Sequence, residues 1–340
     1  MDLELTQEQA LLADSVRQLL VQHPGPAAWP ALVEFGALEI AAGEDVGAVE
    51  LALVARELGE RLEATPLIDS GSAVYAARGS GLEDVLADAT VALALLEPGA
   101  GWGLEEPAAT VTGGIVDGRK VAVGVEAADV LLALADDGGA RRLAVVPRDN
   151  GVTAAPIPWI DESLAPVGLT FDGAHAAAVQ PADEILPRML AIGAVLAAAE
   201  AAGAAAGVLE LARQYAGERR QFGRTIGSFQ ALRHLLADMY VKQDSSWSTV
   251  LFAAAALEDD ADDALRTAAI AKAYVSRAAQ DVAQGALQVF GGIAFTAEHP
   301  AHLYLRRILA RGQQFGDARH HERAIGRALV GAPQTVGAAS

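Results

Sequence analysis

The 340 residues include 52% hydrophobic side chains, carry a formal net charge of −19 and contain no cysteine. The length exceeds one typical core, so we expect a globular protein of two or three packed units. The missing cysteines exclude disulfides, thiolate nucleophiles and zinc-thiolate sites, and we expect no metal site. The negative charge argues against nucleic acid, whose phosphates such a surface would repel.

The charge is unevenly distributed along the chain. Residues 1–183 hold 9 basic and 29 acidic side chains, whereas residues 184–340 hold 16 and 15, so an anionic ligand would prefer the second half. The longest apolar stretch, 192–212, is interrupted by Glu200 and Glu210 and suits a buried helix better than a bilayer span. The acidic N-terminus lacks the features of a secretion signal, so we expect a cytoplasmic protein without a membrane role.

The predicted elements change type twice along the chain. Residues 1–88 are predicted to form a helical domain, with one helix starting at Thr6 and another over Val46 to Leu62. Residues 89–183 contain short β-like runs separated by turn sequences, typical of an antiparallel barrel or sandwich. These runs are VALALL (91–96), ATVTGGIV (109–116), KVAVGV (120–125), DVLLALA (129–135), RRLAVVP (141–147) and VGLTFDG (167–173).

Residues 184–330 are predicted to be helical again, in segments near 184–218, 227–258, 261–290 and 300–330, and residues 331–340 form a frayed tail. Gly203 and Gly207 lie four residues apart, which permits a close approach between two helices. The predicted fold class is therefore α+β with several domains, in the order helical, β, helical.

Two stretches of the last segment could bind a ligand. Residues 218–230, ERRQFGRTIGSFQ, join two helices and place three arginines near a turn, which suits a phosphate but also fits a solvated surface. Residues 288–292, QVFGG, close a helix, and Gly-Gly there is by itself an ordinary C-cap.

Together, RRQFGR and QVFGG at this separation resemble the C-terminal signature of the acyl-CoA dehydrogenase family. The segments EPGAG (97–101), DGRK (117–120) and LTQEQ (5–9) also resemble that family, so that the resemblance covers nearly the whole chain. It implies an N-terminal helical domain, a central antiparallel β-domain and a C-terminal four-helix bundle. It also implies FAD bound across a subunit interface, with its ADP end held by the neighbouring subunit. Carried over by position, the cofactor-binding residues are Arg219, Phe222, Gln288, Val289 and Gly292.

The family's reaction needs a glutamate base to remove the α-proton of an acyl-CoA. Aligned from Gly291, the usual base position is Phe315, which cannot accept a proton. The less common base position in the family corresponds to Gly193, which is also without a side chain. No catalytic residue is therefore expected at either position. Asp317 and Glu322 are possible substitutes if the segment is shifted.

The flavin-facing part of the β-domain also departs from the family pattern. Leu96 and Trp102 stand where the family commonly has threonine and serine, and Ala122-Val123-Gly124 replaces a Trp-Ile-Thr or Trp-Ile-Ser segment. The resemblance therefore implies that this chain has kept the half-site that it lends to a neighbour and lost the half-site that it would use itself.

This asymmetry implies a heteromer, an α2β2 assembly with a homologous subunit that carries the catalytic glutamate. It resembles the paired-subunit enzymes of bacterial steroid side-chain degradation. In this chain the corresponding N-terminal segment is shortened at Ala42 to Asp45, which could widen the substrate pocket. An acyl-CoA substrate and an electron-transfer flavoprotein or similar acceptor are the other expected partners. Two alternatives stay open, a self-sufficient dehydrogenase with a relocated base and a scaffold that binds neither flavin nor acyl-CoA.

Overall fold

The computed structural model describes residues 4–43 and 47–330. The predicted tail, 331–340, and Glu44, Asp45 and Val46 lie outside the described residues. The first helices are α1 Gln7–Gln22, α2 Ala28–Glu34, α3 Ala37–Ala42, α4 Ala48–Arg61, α5 Leu67–Ala77 and α6 Glu83–Leu86. The strands that follow are β1 Val91–Ala94, β2 Thr110–Thr112, β3 Ile115–Ala122, β4 Val130–Asp137, β5 Ala140–Pro147, β6 Val152–Pro156, β7 Val167–His175 and β8 Ala178–Pro181. The remaining elements are α7 Ile185–Glu218, β9 Arg220–Gln221, β10 Arg224–Thr225, α8 Gln230–Glu258, α9 Ala264–Phe290, α10 Ala301–Gln313 and α11 Ala318–Val330.

The first helix begins where the sequence predicts it. Gln9 N donates to Thr6 Oγ1 at 3.2 Å and Thr6 N donates to Gln9 Oε1 at 3.0 Å, a reciprocal capping box. The second predicted helix is α4, whose described part starts at Ala48.

The strands form one eight-stranded sheet with the order β6-β7-β3-β2-β4-β5-β8, in which β1 pairs with β4. Most neighbours are antiparallel, but β1 and β2 each run parallel to β4, so the expectation of a purely antiparallel domain is wrong at these two pairs. Residues 95–129 connect β1 to β4 and are long enough for the crossover that a parallel pair requires. The predicted run 120–125 is not a separate strand, because β3 continues through it to Ala122.

Helix α7 is the buried centre of the C-terminal helices. It is long and apolar enough to cross a membrane, but 89% of its most apolar window is buried inside the fold, as in a core helix. The predicted close approach occurs against α4, since a Cβ added at Gly203 would overlap the Arg56 carbonyl and one at Gly207 would lie 2.6 Å from the Glu60 carbonyl oxygen. Backbone contact at these glycines explains why α4 and α7 pack so closely.

The last predicted segment, 300–330, is not continuous. It breaks between α10 and α11, where Phe315 and Gly316 both adopt left-handed backbone conformations, with φ values of 57° and 97°. The described part of the C-terminal region therefore contains α7, α8, α9, α10 and α11, with the last predicted helical segment divided into α10 and α11. The sequence pattern does not show this break because the apolar spacing continues on both sides of it.

A buried arginine joins the three parts of the chain. Arg307 of α10 donates to Asp161 at 2.7 Å and to Glu200 at 3.0 Å, and also to the backbone carbonyls of Leu62 and Glu63. Arg311 adds a second contact to Glu200 at 2.9 Å. These contacts fix α10 against the N-terminal helices, α7 and the loop that precedes β7.

Candidate functional site

A cavity of about 310 Å³ lies between the sheet, α5 and the end of α10. Its walls are mainly apolar and include two tryptophans. The residues that line it are Asp69, Leu93, Leu95, Leu96, Ala100, Gly101, Trp102, Val121, Ala122, Val123, Trp159, Leu164, Pro166, Ala310, Gln313, Gln314 and Phe315. Its size is near the lower limit of small-molecule pockets.

The two expected base positions contact each other, and one of them, Phe315, lines this cavity. Phe315 is 3% exposed and lines the cavity, and a Cβ added at Gly193 would overlap the Phe315 ring. The ring therefore occupies the space that any side chain at position 193 would need. Neither residue can accept a proton, so neither provides a base here.

Trp102 packs against the other side of Phe315. The two rings are stacked with centroids 5.5 Å apart, and Trp102 Nε1 donates to the Gln313 carbonyl at 2.9 Å. The residue that replaces a family serine is thus a large ring fixed inside the cavity. It fills space and offers its only polar hydrogen to the protein itself.

Leu96, Trp102 and Ala122, which the family resemblance predicts to face flavin, all line this cavity. Leu96 pairs with Val121 in an isolated bridge, and Leu96 and Ala122 both line the cavity. Lys120 is fully buried and forms an ion pair with Glu97, which ties the EPGAG and DGRK segments together. Burial lowers the pKa of Lys120, and the Glu97 contact opposes this effect.

One ionisable cavity residue is absent from the sequence predictions. Asp69 of α5 is buried, accepts from Leu93 N at 3.1 Å and from Gln314 Nε2 at 3.0 Å, and lines the cavity beside Phe315. Burial raises the pKa of Asp69 to about 6. A charged residue in the apolar run LIDSGSAVYAA is the signal that could have identified it.

The other carboxylates considered from the sequence point elsewhere. Asp317 accepts from His320 N at 2.7 Å at the start of α11, and Glu322 pairs with Arg277, so neither lines the cavity. Glu200 is buried between helices in the arginine contacts described above. Glu210 is on the surface, where its bonds to Arg213 and Gln214 lower its pKa to about 2.

A separate exposed feature follows the end of α7. Strands β9 and β10 form a hairpin whose turn residues, Phe222 and Gly223, have φ values of 51° and 79°. Phe222 is 91% exposed at the tip, and its ring meets the edge of Phe229, over which Arg224 lies at 4.0 Å. An exposed phenyl on a strained turn suits a surface that another molecule covers.

The QVFGG segment lies at the same end of the bundle. Tyr215, near the end of α7, packs against Phe290, near the end of α9, with ring centroids 5.3 Å apart. Gln288 and Gly292 are exposed, whereas Val289 is buried and directs its side chain inward. Within residues 4–43 and 47–330, the exposed side chains of Arg219 and Gln288 have no polar partner. An anionic ligand approaching from outside could therefore use both.

The comparisons with known proteins agree with this arrangement. Residues 184–330 match the family model described as acyl-CoA dehydrogenase, C-terminal domain. The chain is 31% identical to the acyl-CoA dehydrogenase IpdE2 of Mycolicibacterium smegmatis, over 94% of this chain and 98% of that protein.

Two solved structures have a similar fold. A variant of the Tcur3481-Tcur3483 steroid ACAD superposes with a TM-score of 0.84 and 25% identity, covering 95% of this chain and 98% of that one. A chain of the ChsE4-ChsE5 complex from Mycobacterium tuberculosis superposes with a TM-score of 0.83 and 25% identity. The match covers 98% of this chain and 100% of that one. The helical and sheet arrangement is therefore the one predicted, and the chain belongs to the acyl-CoA dehydrogenase family, a family of FAD-dependent oxidoreductases.

Proposed function

We propose that this chain is the non-catalytic subunit of a heteromeric acyl-CoA dehydrogenase, which desaturates the α,β bond of an acyl-CoA thioester. A homologous subunit would carry the catalytic glutamate, and this chain would complete the FAD site of that subunit in an α2β2 assembly. In this proposal the chain divides into domains at 1–88, 89–183 and 184–330.

The observation that carries the proposal is the contact between Phe315 and Gly193. The two expected base positions are in contact beside the cavity, and the Phe315 ring fills the space that a side chain at position 193 would need. A subunit that removed the α-proton itself would need a carboxylate there. The substitutions support each other sterically, which is expected of a specialised site and not of random loss.

The exposed end of the bundle supports the role toward FAD. When bound, FAD would supply the hydride-accepting chemistry, and Arg219, Gln288 and Gly292 of this chain would bind its ADP end. Phe222 would be covered in the same contact. An arginine without a partner next to exposed backbone suits a pyrophosphate, and this half of the chain lacks the strong negative charge of the other half.

A steroid side-chain thioester is the proposed substrate. The support is the similarity to the steroid ACAD and to a two-component complex, each at 25% identity over nearly the whole chain. An electron-transfer flavoprotein or similar protein would reoxidise the flavin. The proposed location is the cytoplasm.

Co-expression with a homologous subunit that has an intact glutamate tests the proposal. We expect this chain alone to be colourless or insoluble, and the co-purified complex to be yellow and to desaturate a steroid-CoA. A yellow, active homomer would refute the proposal. Arg219→Ala should lower the FAD content of the complex, whereas Arg213→Ala, an exposed arginine near the end of α7, should not.

One observation favours a second candidate, a self-sufficient dehydrogenase. Asp69 is a carboxylate in the cavity beside the expected base position, and its raised pKa would suit proton transfer. Asp69→Asn should then abolish reduction of bound flavin by substrate, while Asp317→Asn and Glu322→Gln should not. In the heteromer, by contrast, Asp69→Asn should leave the rate of this step unchanged.

The scaffold alternative is tested by the same Arg219→Ala complex. If its FAD content equals that of the wild type while Phe222→Ala and Gln288→Ala also have no effect, this end of the bundle serves assembly alone.

A further inference from the structure

The turn between α10 and α11 is held in a conformation that it would not adopt by itself. Phe315 has a φ of 57°, in the left-handed region that is unfavourable for a residue with a side chain. Such a conformation persists only where the surrounding structure fixes it. The described neighbours of this turn therefore show what fixes it.

Donors from three different segments bind carbonyl groups of the last residues of α10 and of the turn itself. Lys272 of α9 donates to the carbonyls of Arg311 and Gly312 at 2.7 and 3.0 Å. Trp102, from the loop after β1, donates to the Gln313 carbonyl, and His321 of α11 lies with Nε2 2.8 Å from the Phe315 carbonyl. A carbonyl can only accept, so His321 Nε2 must carry a proton.

The side chain of Gln314, the first residue of this turn, is fixed as well. Gln314 accepts from Arg311 and donates to Asp69 at 3.0 Å. Buried hydrogen bonds of this kind are costly to leave unmade, so together they stabilise one conformation of the turn. That conformation directs the Phe315 ring between Gly193 and Trp102, where it occupies space at the wall of the cavity.

We propose that Trp102, Lys272 and His321 are positioning residues that hold Phe315 as a plug, and that this plug keeps hydrocarbon acyl groups out of the chain's own cavity. The inference rests on the proposed function and extends it, because it explains how a subunit that lends half a site avoids binding acyl groups unproductively. The cavity is otherwise suitable for a hydrocarbon, since its walls are apolar.

The test uses cis-parinaric acid, a fluorescent fatty acid that accepts excitation energy from nearby tryptophan. Trp102 and Trp159 both line the cavity, so binding there produces energy transfer. The protein is titrated in the assembly that it forms, and sites are counted per copy of this chain. Phe315→Ala is expected to add one binding site per copy, at a cavity where the wild type binds no probe.

Variants of the positioning residues show whether Phe315 is held by specific hydrogen bonds or whether any substitution near it admits the probe. His321→Leu removes the donor and should admit the probe, whereas His321→Gln keeps a donor and should exclude it as the wild type does. Trp102→Ala removes the ring that packs against Phe315. It replaces Phe315→Ala in the test if that variant does not fold.

Three results would overturn the plug. They are probe binding at this cavity in the wild type, an unchanged number of sites in both folded opening variants, or equal binding by His321→Leu and His321→Gln. If the number of probe sites does not change while the wild-type complex is yellow and active, the plug is refuted and the proposed function still stands. The proposed function fails when this chain by itself is yellow and active.

Discussion

Gly193 and Phe315 form a steric pair, and each determines what the other position can hold. A methyl group at position 193 would overlap the Phe315 ring, which is packed against Trp102 and cannot move aside easily. Gly193→Ala should therefore destabilise the protein by about 1–3 kcal/mol, the usual cost of overpacking. Urea unfolding measures this change.

A double-mutant cycle measures the interaction between positions 193 and 315. In the Phe315→Ala background the space beside position 193 is free, so adding Gly193→Ala should cost little and could stabilise α7 through helix propensity. Additive effects of the two substitutions would contradict the contact on which the proposed function depends.

Asp69 makes stability depend on pH. Its folded pKa, about 6, exceeds the ordinary 3.8 because burial disfavours the charged form, so its favourable contribution is complete below about pH 4. The contribution is lost as pH rises to 6. Since one pKa unit corresponds to about 1.4 kcal/mol, the loss amounts to as much as ~3 kcal/mol.

The pH dependence is measured by chemical unfolding between pH 3.5 and 7.5. Asp69→Asn should remove this fall in the free energy of unfolding, although the amide cannot reproduce both hydrogen bonds and will lower stability overall. Asp238→Asn, an exposed carboxylate on α8, is the matched control and should leave the profile unchanged. A profile of Asp69→Asn parallel to that of the wild type would contradict the raised pKa.

At the scale of elements, the crossing of α4 and α7 depends on glycine. Gly59 and Gly203 face each other's helices, and a Cβ at either would overlap a backbone carbonyl that no rotamer change can move. Gly203→Ala should therefore cost at least the 1–3 kcal/mol of ordinary overpacking. Thermal and urea unfolding measure this loss of stability.

Gly217→Ala is the matched control on the same helix. Nothing lies within 4 Å of its added Cβ, so it should be neutral or stabilise by roughly 0.5–1 kcal/mol. Equal losses for the two variants would show that helix propensity, and not backbone contact, determines the result.

These elements also show what periodicity predicts and what it misses. The capping box at Thr6 and the spacing of Gly203 and Gly207 are local signals, and both predictions agree with the structure. The parallel pairing of β1 with β4 depends on a long connection and leaves no local signal. The break at Phe315 was missed because it arises from donors such as Lys272, which are distant in sequence.

The candidate site was predictable in part for the same reason. The RRQFGR and QVFGG segments are contiguous and were found by resemblance, and Phe315 and Gly193 followed from alignment to them. The contact between Phe315, Gly193 and Trp102 is a property of three distant segments, which only the folded chain brings together. The roles of Arg219, Phe222, Gln288 and Gly292 toward FAD stay predictions, and the inward-facing side chain of Val289 makes its role the weakest.

For the whole molecule, Arg307 is the residue that joins the three regions. It is 2% exposed and contacts Asp161, Glu200 and two carbonyls of the N-terminal region. Arg307→Met would leave two buried carboxylates without this partner, and removal of one side of a buried pair costs about 3–5 kcal/mol. We expect that loss together with faster hydrogen exchange in the region around Leu62.

Arg306→Met is the control, because Arg306 is an exposed neighbour on the same helix. It should change the free energy of unfolding by less than about 0.5 kcal/mol. If Arg306→Met and Arg307→Met unfold alike, the buried contacts do not hold the regions together.

The hairpin tip has a consequence for the cell as well as for the cofactor. An unpaired copy would present the Phe222 ring to chaperones and proteases, which act on chains that expose apolar groups. If the chain functions in the proposed heteromer, surplus copies would be degraded, and the amount of this protein would follow the amount of the partner subunit. Deleting the partner's gene should lower the level of this protein while its messenger RNA stays constant, and Phe222→Ser should reduce that loss.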